Sequence, residues 1–411
     1  MSNVPKLRFK EFSGEWEEQV FKELFERITT KNKENNLNVL TISAQQGLIN
    51  QEEYFNKSVS SKDLTGYYLL NKNDFAYNKS YSKGYPLGAI KRLNRYEKGV
   101  VSTLYICFRA KKDSVDFIEQ YFNSGLMNKE IHKIAQEGAR NHGLLNISVT
   151  EFFNDTKLIL PSKPEQEKIA SFLTSIDTKI EQLTKKEELL QQYKKGVMQK
   201  IFNQEIRFKD NDGSDFREWE EKKLGDVGIT YNGLTGKTSE NFGSGKPYIQ
   251  YKQIFDNSRI TIDGFGYVSI EPNEKQNKVQ FGDIFFTTSS ETPNEVGFAS
   301  VLLDDIEEVY LNSFCFGYRA KSLDILNPYF ARFLFRSANF RREVIKLAQG
   351  STRYNISKVE LMKTIIFLPS IEEQTKIANF LSSIDSKIEQ VQKQLNSTKE
   401  FKKALLQQMF V

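Results

Sequence analysis

The chain is poor in the residues that most often carry chemistry or covalent staples: 411 residues contain only two cysteines, two histidines and two tryptophans. Two cysteines, Cys107 and Cys315, exclude a disulfide framework, and no CxxC pair exists for zinc or redox work. Both lie in apolar runs at matching places in the two halves, which reads as buried free thiols in a reducing compartment. The histidines, His132 and His142, fall in the first half alone, with no Cys or His near them at metal spacing. No run is apolar and long enough to span a bilayer. The opening MSNVPKLRFK is polar, unlike a secretory signal, so a soluble cytoplasmic protein is expected. G-x-S-x-G, H-E-x-x-H and Asn/Asp-Pro-Pro-aromatic motifs are all missing, and no catalytic residue or metal site is expected.

One stretch imitates a phosphate loop. Gly233-Leu-Thr-Gly236-Lys237-Thr238 has two residues between its glycines where a P-loop needs four, so Lys237 is better placed among contacts to a nucleic acid. An acidic cluster, Glu165-Gln166-Glu167-Lys168, resembles a nuclease fragment. Its Glu167 is replaced by Thr375 in a second copy of the segment, and the cluster reads instead as a solvated first helical turn.

What the chain does have is an internal repeat. LPSKPEQEKIASFLTSIDTKIEQ at 160–182 and LPSIEEQTKIANFLSSIDSKIEQ at 368–390 share 17 of 23 positions, in a register 208 residues apart. The match continues to Phe202 and Phe410, so each segment reads as a helix of roughly forty residues, or about 60 Å. Ile169, Ile176, Leu183, Leu190 and Val197 recur every seven residues, with Leu173 and Ile180 alongside. The second copy offers Ile377, Ile384, Val391 and Leu405, flanked by Leu381 and Ile388. Such stripes pair helices, here as an intramolecular coiled coil of the two copies, the alternative being that each helix packs on its own domain. Leu-Pro-Ser marks the entry to each helix, preceded by the short strands KLIL (157–160) and TIIFL (364–368), with Glu165, Glu167, Glu372 and Glu373 in the first turns.

The material before each helix diverges but keeps a skeleton. Trp16 answers Trp219, Asp74 answers Asp283, Gly88 answers Gly297, and Arg109–Lys111 answers Arg319–Lys321, as Asn146–Ser148 answers Asn355–Ser357. Strands are expected at Val39–Ser43, Phe75–Asn78, Val100–Phe108, Tyr248–Tyr251, Ile284–Thr288 and Val309–Tyr318. Helices are expected at Asp116–Ala135 and Pro328–Ala348. Each half is therefore an α/β or α+β domain of roughly 150 residues. The expected division is 1–160, a first domain; 161–203, the first long helix; 204–368, a second domain; and 369–411, the second long helix. A net charge of +5 permits nucleic-acid binding without proving it.

The doubled P-S-x-x-E-Q-x-K-I-A-x-F-L-x-S-I-D-x-K-I-E-Q helix, each copy behind a divergent domain, resembles the specificity subunit of type I restriction–modification systems over the whole chain. That resemblance implies two target-recognition domains, each reading one half of a bipartite site in double-stranded DNA. The two antiparallel helices hold them apart with pseudo-two-fold symmetry and dock two methyltransferase subunits, through which restriction and translocase subunits join. Methylation, cleavage and translocation, with S-adenosylmethionine, ATP and Mg, belong to those other chains. A protein–protein scaffold without sequence-specific DNA binding is the alternative.

Polar loops at matched positions are the candidate readers, because Arg and Lys suit guanine, Asn and Gln suit adenine, and Ser, Thr and Tyr serve bases or phosphates. In the first half these are Thr30, Lys31, Ser43, Gln45, Gln46, Asn78, Lys79, Tyr81, Lys83, Arg140, Asn141 and His142. In the second they are Tyr231, Asn232, Thr235, Lys237, Gln250, Tyr251, Lys252, Thr288, Ser289, Ser290, Arg353, Tyr354 and Asn355. The repeat also predicts that the segment up to Trp16 lies beside the end of the second helix, as Glu205–Trp219 follows the first.

Overall fold

A computed structural model describes residues 3–43, 46–56, 60–61, 63–81, 84–135 and 145–411. The chain forms two compact units: Met1–Thr184 with Lys393–Val411, and Lys185–Gln392. The two long helices, Lys163–Phe202 and Ile371–Met409, each contribute a segment to both units.

The two units repeat one sheet. In the first, the strand order is Phe25–Arg27, Ile106–Ala110, Phe75–Asn78, Ala89–Arg92, all antiparallel. In the second it is Gly228–Asn232, Cys315–Ala320, Ile284–Thr287, Ala299–Val301, again antiparallel. A separate two-stranded ribbon feeds each long helix. Glu17–Val20 pairs with Lys157–Leu160, and Glu220–Lys223 pairs with Ile365–Leu368. The strands read from KLIL and TIIFL are thus present, each ending at the leucine before the helix-entry proline.

Five expected elements are broken by local chemistry. Val100–Phe108 is two strands, Lys98–Val101 and Ile106–Ala110, because Ser102 turns the chain: its Oγ accepts from Leu104 N and its carbonyl from Tyr105 N. Val309–Tyr318 divides in the same way at Asn312, whose Oδ1 accepts from Phe314 N and whose carbonyl accepts from Cys315 N. Asp116–Ala135 is two helices, separated where Gly125 takes φ +82°, a left-handed value that glycine tolerates. Pro328–Ala348 restarts at Ser337, which caps the second piece through Phe340 N. Tyr248–Tyr251 ends its strand at Ile249 and enters a short helix, Tyr251–Asp256.

In each unit, segments of the two long helices run antiparallel. In the first unit Leu7 N donates to Gln408 O at 2.9 Å while Arg8 holds Glu165, and twelve residues further along the first helix Asp177 meets Lys402 of the second. In the second unit Ile206 N reaches Lys200 O, Arg207 holds Glu373, and Asp385 meets Lys194. The N-terminal segment therefore lies against the end of the second helix as the repeat predicts. Trp16 sits edge-on to Phe410 at 6.3 Å, and Trp219 to Phe202 at 6.2 Å.

The heptad stripe is largely core. Ile169, Leu173, Ile176, Leu183, Ile377, Leu381, Ile384, Val391 and Leu405 are buried, while Ile180, Leu190, Val197 and Ile388 are half-buried. Leu395, outside the series read from sequence, is also buried.

The first helical turn is solvated only in part: Glu167, Lys168 and Glu372 are exposed as the charge pattern implied, but one glutamate of each turn is not. Glu165 and Glu373 are 2% and 0% exposed. Each accepts a bidentate pair from arginine, at 2.8 and 2.7 Å from Arg8 and at 3.1 and 2.9 Å from Arg207. Each also accepts an indole N–H, from Trp16 at 3.4 Å and Trp219 at 3.2 Å. The next residue is buried too. Gln166 accepts from Ser114 N and donates to Asp113 and Pro161 O; Gln374 accepts from Asn327 N and donates to Ile325 O and Pro369 O. The Glu-Gln pair of the repeat is thus a clasp tying helix to domain. Charge-assisted fork geometry makes it strong, and burial makes it intolerant of a missing partner.

Cys107 and Cys315 are both buried and free. They share the equivalent strand but not the equivalent place: Cys107 faces Ala76 across the sheet, whereas the residue facing the corresponding Phe285 is Gly317, two positions from Cys315. Burial pushes the Cys107 thiol up to about 12, so neither packing nor acidity marks it as reactive.

Candidate nucleic-acid interface

The sheet of each unit is locked beneath its loops by one ion pair. Arg109 Nε and Nη2 donate to Asp74 at 2.6 and 2.9 Å, and Arg319 donates likewise to Asp283 at 2.7 and 2.7 Å. Both aspartates are 1% exposed or less, and each also accepts a backbone N–H, from Asn71 or Gln280. This pair holds the start of the central strand, so that the strand is anchored at the end opposite to the one from which the candidate loops leave.

Gly88 and Gly297 seat the next turn. Both take positive φ, and a Cβ at Gly88 would stand 2.1 Å from Asn78 O. The sequence marks these two glycines as equivalent, and the close approach is the reason each must be one.

In the second unit the structure gathers the candidates into two neighbouring grooves. Tyr251, Ser289, Ser290 and Arg353 line the first, a pocket of about 390 Å³, with Phe255, Glu291, Glu295 and Phe314. Ser289 and Ser290 pair with Asn355 and Tyr354 across a short ribbon, which brings those two residues to the same place. Tyr251 reaches the ribbon directly, donating its hydroxyl to Ser289 O at 2.6 Å. Asn232, Thr235 and Thr288 line the second groove together with Ser313 and Lys358. Lys358 carries no mark in the sequence; it shares the groove because its helix is capped by Ser357 immediately after the ribbon. Its Nζ donates to Asn232 Oδ1. Gln250 and Lys252 are exposed, with Gln250 Nε2 donating to Gly264 O at 3.0 Å.

Two candidates of this unit belong to the scaffold instead. Tyr231 donates to Asp283 at 2.6 Å beneath Arg319, whose guanidinium lies 5.0 Å from the ring centre, and burial with the neighbouring carboxylate drives its phenol far above the ordinary range. Lys237 is 6% exposed and donates to Glu274 and to Ser269 O. The hydrogen bond from Lys237 pulls the Glu274 carboxyl down to about 2. The ammonium is buried and already engaged by an internal carboxylate and a carbonyl, so it does not face a phosphate.

In the first unit Thr30, Lys31 and Gln46 are exposed, and Tyr81 is 58% exposed. Lys31 lies over the Tyr68 ring at 4.4 Å and donates to Gly66 O. Asn78 Oδ1 accepts from Ser80 N, and Lys79 O accepts from Leu145 N, so both shape the loop that continues the central strand. Ser43 is buried, and its Oγ accepts from Gln46 N. It is a turn-former rather than a reader. Gln45, Lys83, Arg140, Asn141 and His142 lie outside the described residues.

Among the described residues, no group of His, Cys, Asp and Glu forms a metal-binding cluster. None of the described helices is long and apolar enough to cross a membrane.

Comparison with known proteins places this architecture. Residues 217–399 match the type I restriction modification DNA specificity domain. The type I restriction enzyme MjaVIII specificity subunit of Methanocaldococcus jannaschii is 26% identical over 75% of this chain and 73% of its own. A MjaX specificity subunit from the same organism, described as putative, is 23% identical over 98% and 95%. Among solved structures, the S subunit of a type I restriction–modification system from M. genitalium shares the fold with a TM-score of 0.56 at 17% identity, over 99% of both chains. A structure from work on type I complex assembly and conformational transition gives 0.55 at 17%, over 96% and 97%. With the duplicated helix, its paired clasps and two divergent domains, this chain is similar along its length to the specificity subunits of type I restriction–modification systems, and residues 217–399 carry the DNA specificity domain of that family.

Proposed function

We propose that each unit reads one half of a bipartite site in duplex DNA and that the long helices dock two copies of a methyltransferase subunit. The contrast between what is kept and what varies carries this reading. The clasps at Glu165 and Glu373 have the same partners in both units, as a pair of identical docking sites requires, while the residues at the loop ends differ, as two different half-sites require. Tyr193 and Phe401 occupy equivalent places on the helices and are 52% and 53% exposed, which suits a repeated surface for two copies of one partner. The chain itself supplies positioning and no bond chemistry. S-adenosylmethionine, ATP and Mg act on the partner chains, in the cytoplasm, where the methyltransferase and the restriction and translocase subunits assemble.

Reconstitution tests this. The subunit with its methyltransferase partners should retard one specific bipartite duplex, with affinity falling steeply as salt rises because bound phosphates release counterions. Native mass measurement should give two methyltransferase chains per specificity chain. A complex of another stoichiometry, or one indifferent to sequence, would overturn the corresponding half of the proposal. The scaffold alternative gains nothing from the grooves, which hold polar residues around aromatic walls.

A further inference from the structure

The two turns that split the expected strands have a second property. Each presents one large apolar side chain to solvent at the same position: Leu104 is 58% exposed and Phe314 65%. Each is the second residue after the one that builds the turn, Ser102 or Asn312, and each is fixed by that residue's side chain. The turns differ in sequence but agree in geometry, so the apolar tip is built twice.

Its surroundings say what it faces. In the second unit Phe314 lines the groove of Tyr251, Ser289, Ser290 and Arg353, while the adjoining Ser313 lines the groove of Asn232, Thr235 and Lys358. Phe314 O also accepts from Thr288 N, tying the turn to the loop that carries the serines. The aromatic tip is therefore a ridge between two polar grooves. In the first unit Ile106 pairs with Tyr77, so Leu104 stands just beyond the same end of that strand pair as Asn78 and Lys79.

We propose that Phe314 and Leu104 are apolar base contacts of the two units, each packing on the C5-methyl group of a thymine. This rests on the DNA-reading function proposed above. A polar groove wall distinguishes bases by donors and acceptors, and an apolar tip between such walls has nothing to bond. Along the major groove the thymine methyl is the one apolar group on a base edge, and a Phe side chain is a known type of partner for it. A tip braced by side-chain and backbone hydrogen bonds loses little freedom on contact, which favours its use for discrimination.

The test uses the subunit assembled with its methyltransferase partners and its specific duplex, the sequence being taken from methylation mapping. Each thymine is replaced in turn by uracil, which removes only the methyl group. For the wild-type complex, one uracil in the half-site read by the second unit should weaken binding about ten-fold. Phe314→Ala should weaken binding to the thymine duplex by a similar factor and make the complex indifferent to that uracil. Leu104→Ala should do the same, more weakly, in the other half-site. Both side chains are exposed, so assembly should be intact. The inference falls if the variants bind as the wild type does, if no thymine in a half-site responds to uracil, if the losses at protein and base simply add, if a 2-aminopurine beside the contact brightens as an unstacking wedge would cause, or if Phe314→Ala breaks subunit assembly. A wild-type complex that fails to distinguish its site from other DNA sinks the DNA-reading function itself, and this inference with it.

Discussion

The helix clasps and the reading loops were duplicated together, yet only the clasps stayed alike. Arg8, Trp16 and Glu165 in the first unit match Arg207, Trp219 and Glu373 in the second, donor for donor. The loops at the end of the central strand match in position alone: Asn78, Lys79 and Tyr81 on one side, Thr288, Ser289 and Ser290 on the other. A buried carboxylate with three donors admits almost no substitution, because any missing partner leaves an unpaired charge. A loop residue facing solvent is constrained only by whatever docks there. The difference between the regions is thus a difference in how many partners each side chain has inside its own unit.

The largest effect should come from breaking the constant part. Ile176→Asp with Ile384→Asp places a carboxylate where the wild-type side chains are 8% and 3% exposed. Each substitution should destabilise its unit by on the order of 3–5 kcal/mol, from lost apolar burial and an unpaired charge. Gel filtration should then show no complete complex.

The clasps sharpen the comparison. Glu165→Ala and Glu373→Ala should each cost about 3 kcal/mol, leaving an arginine and an indole N–H without their acceptor. Calorimetry should show the two losses agreeing within about 1 kcal/mol; a larger gap would mean that the two clasps are equivalent in geometry only.

The loops should respond in the opposite way. Arg353→Ala, at an exposed position, should leave stability within about 0.5 kcal/mol of wild type and weaken specific DNA binding about ten-fold. Tyr231→Phe should reverse this pattern, costing about 1–2 kcal/mol through the hydroxyl donor lost to Asp283 and leaving DNA affinity nearly unchanged. If Tyr231→Phe altered binding more than Arg353→Ala, the assignment of reader and scaffold would be inverted.

The smallest effect is a pH dependence. The Glu274 carboxyl is held at about 2 in the folded protein against an ordinary 4.5, so its pairing with Lys237 stabilises fully above pH 4.5 and is lost as pH falls from there towards 2. Glu274→Gln should therefore be less stable than wild type at pH 6, with the gap closing on acidification. Urea melts at pH 6 and pH 3 measure it.

Several of these features were legible in the residues. The heptad stripe reads as helix pairing because a seven-residue apolar period has few other uses at such length, and the Asp74, Gly88 and Arg109 skeleton survives as a buried pair and a crowded turn. What misled was local. Glu165-Gln166-Glu167 reads as a solvated turn, since charge near a helix start normally faces water, and its arginine partner lies 157 residues away in the chain. Lys237 and Tyr231 look like readers because nothing nearby in the sequence announces Glu274 or Asp283. Ser102 and Asn312 break strands through single side-chain hydrogen bonds, a signal too small to oppose a long apolar run.

By itself, then, the sequence determined the duplication, the length of the helices, the stripe that pairs them and the family that the chain resembles, because repeats and periodicity are written along one dimension. Only the tertiary structure decided which charges are buried, which polar candidates are spent on internal partners, and that Leu104 and Phe314 crown matching turns. Those properties depend on residues far apart in the chain meeting within hydrogen-bond distance, and on water being excluded where they meet.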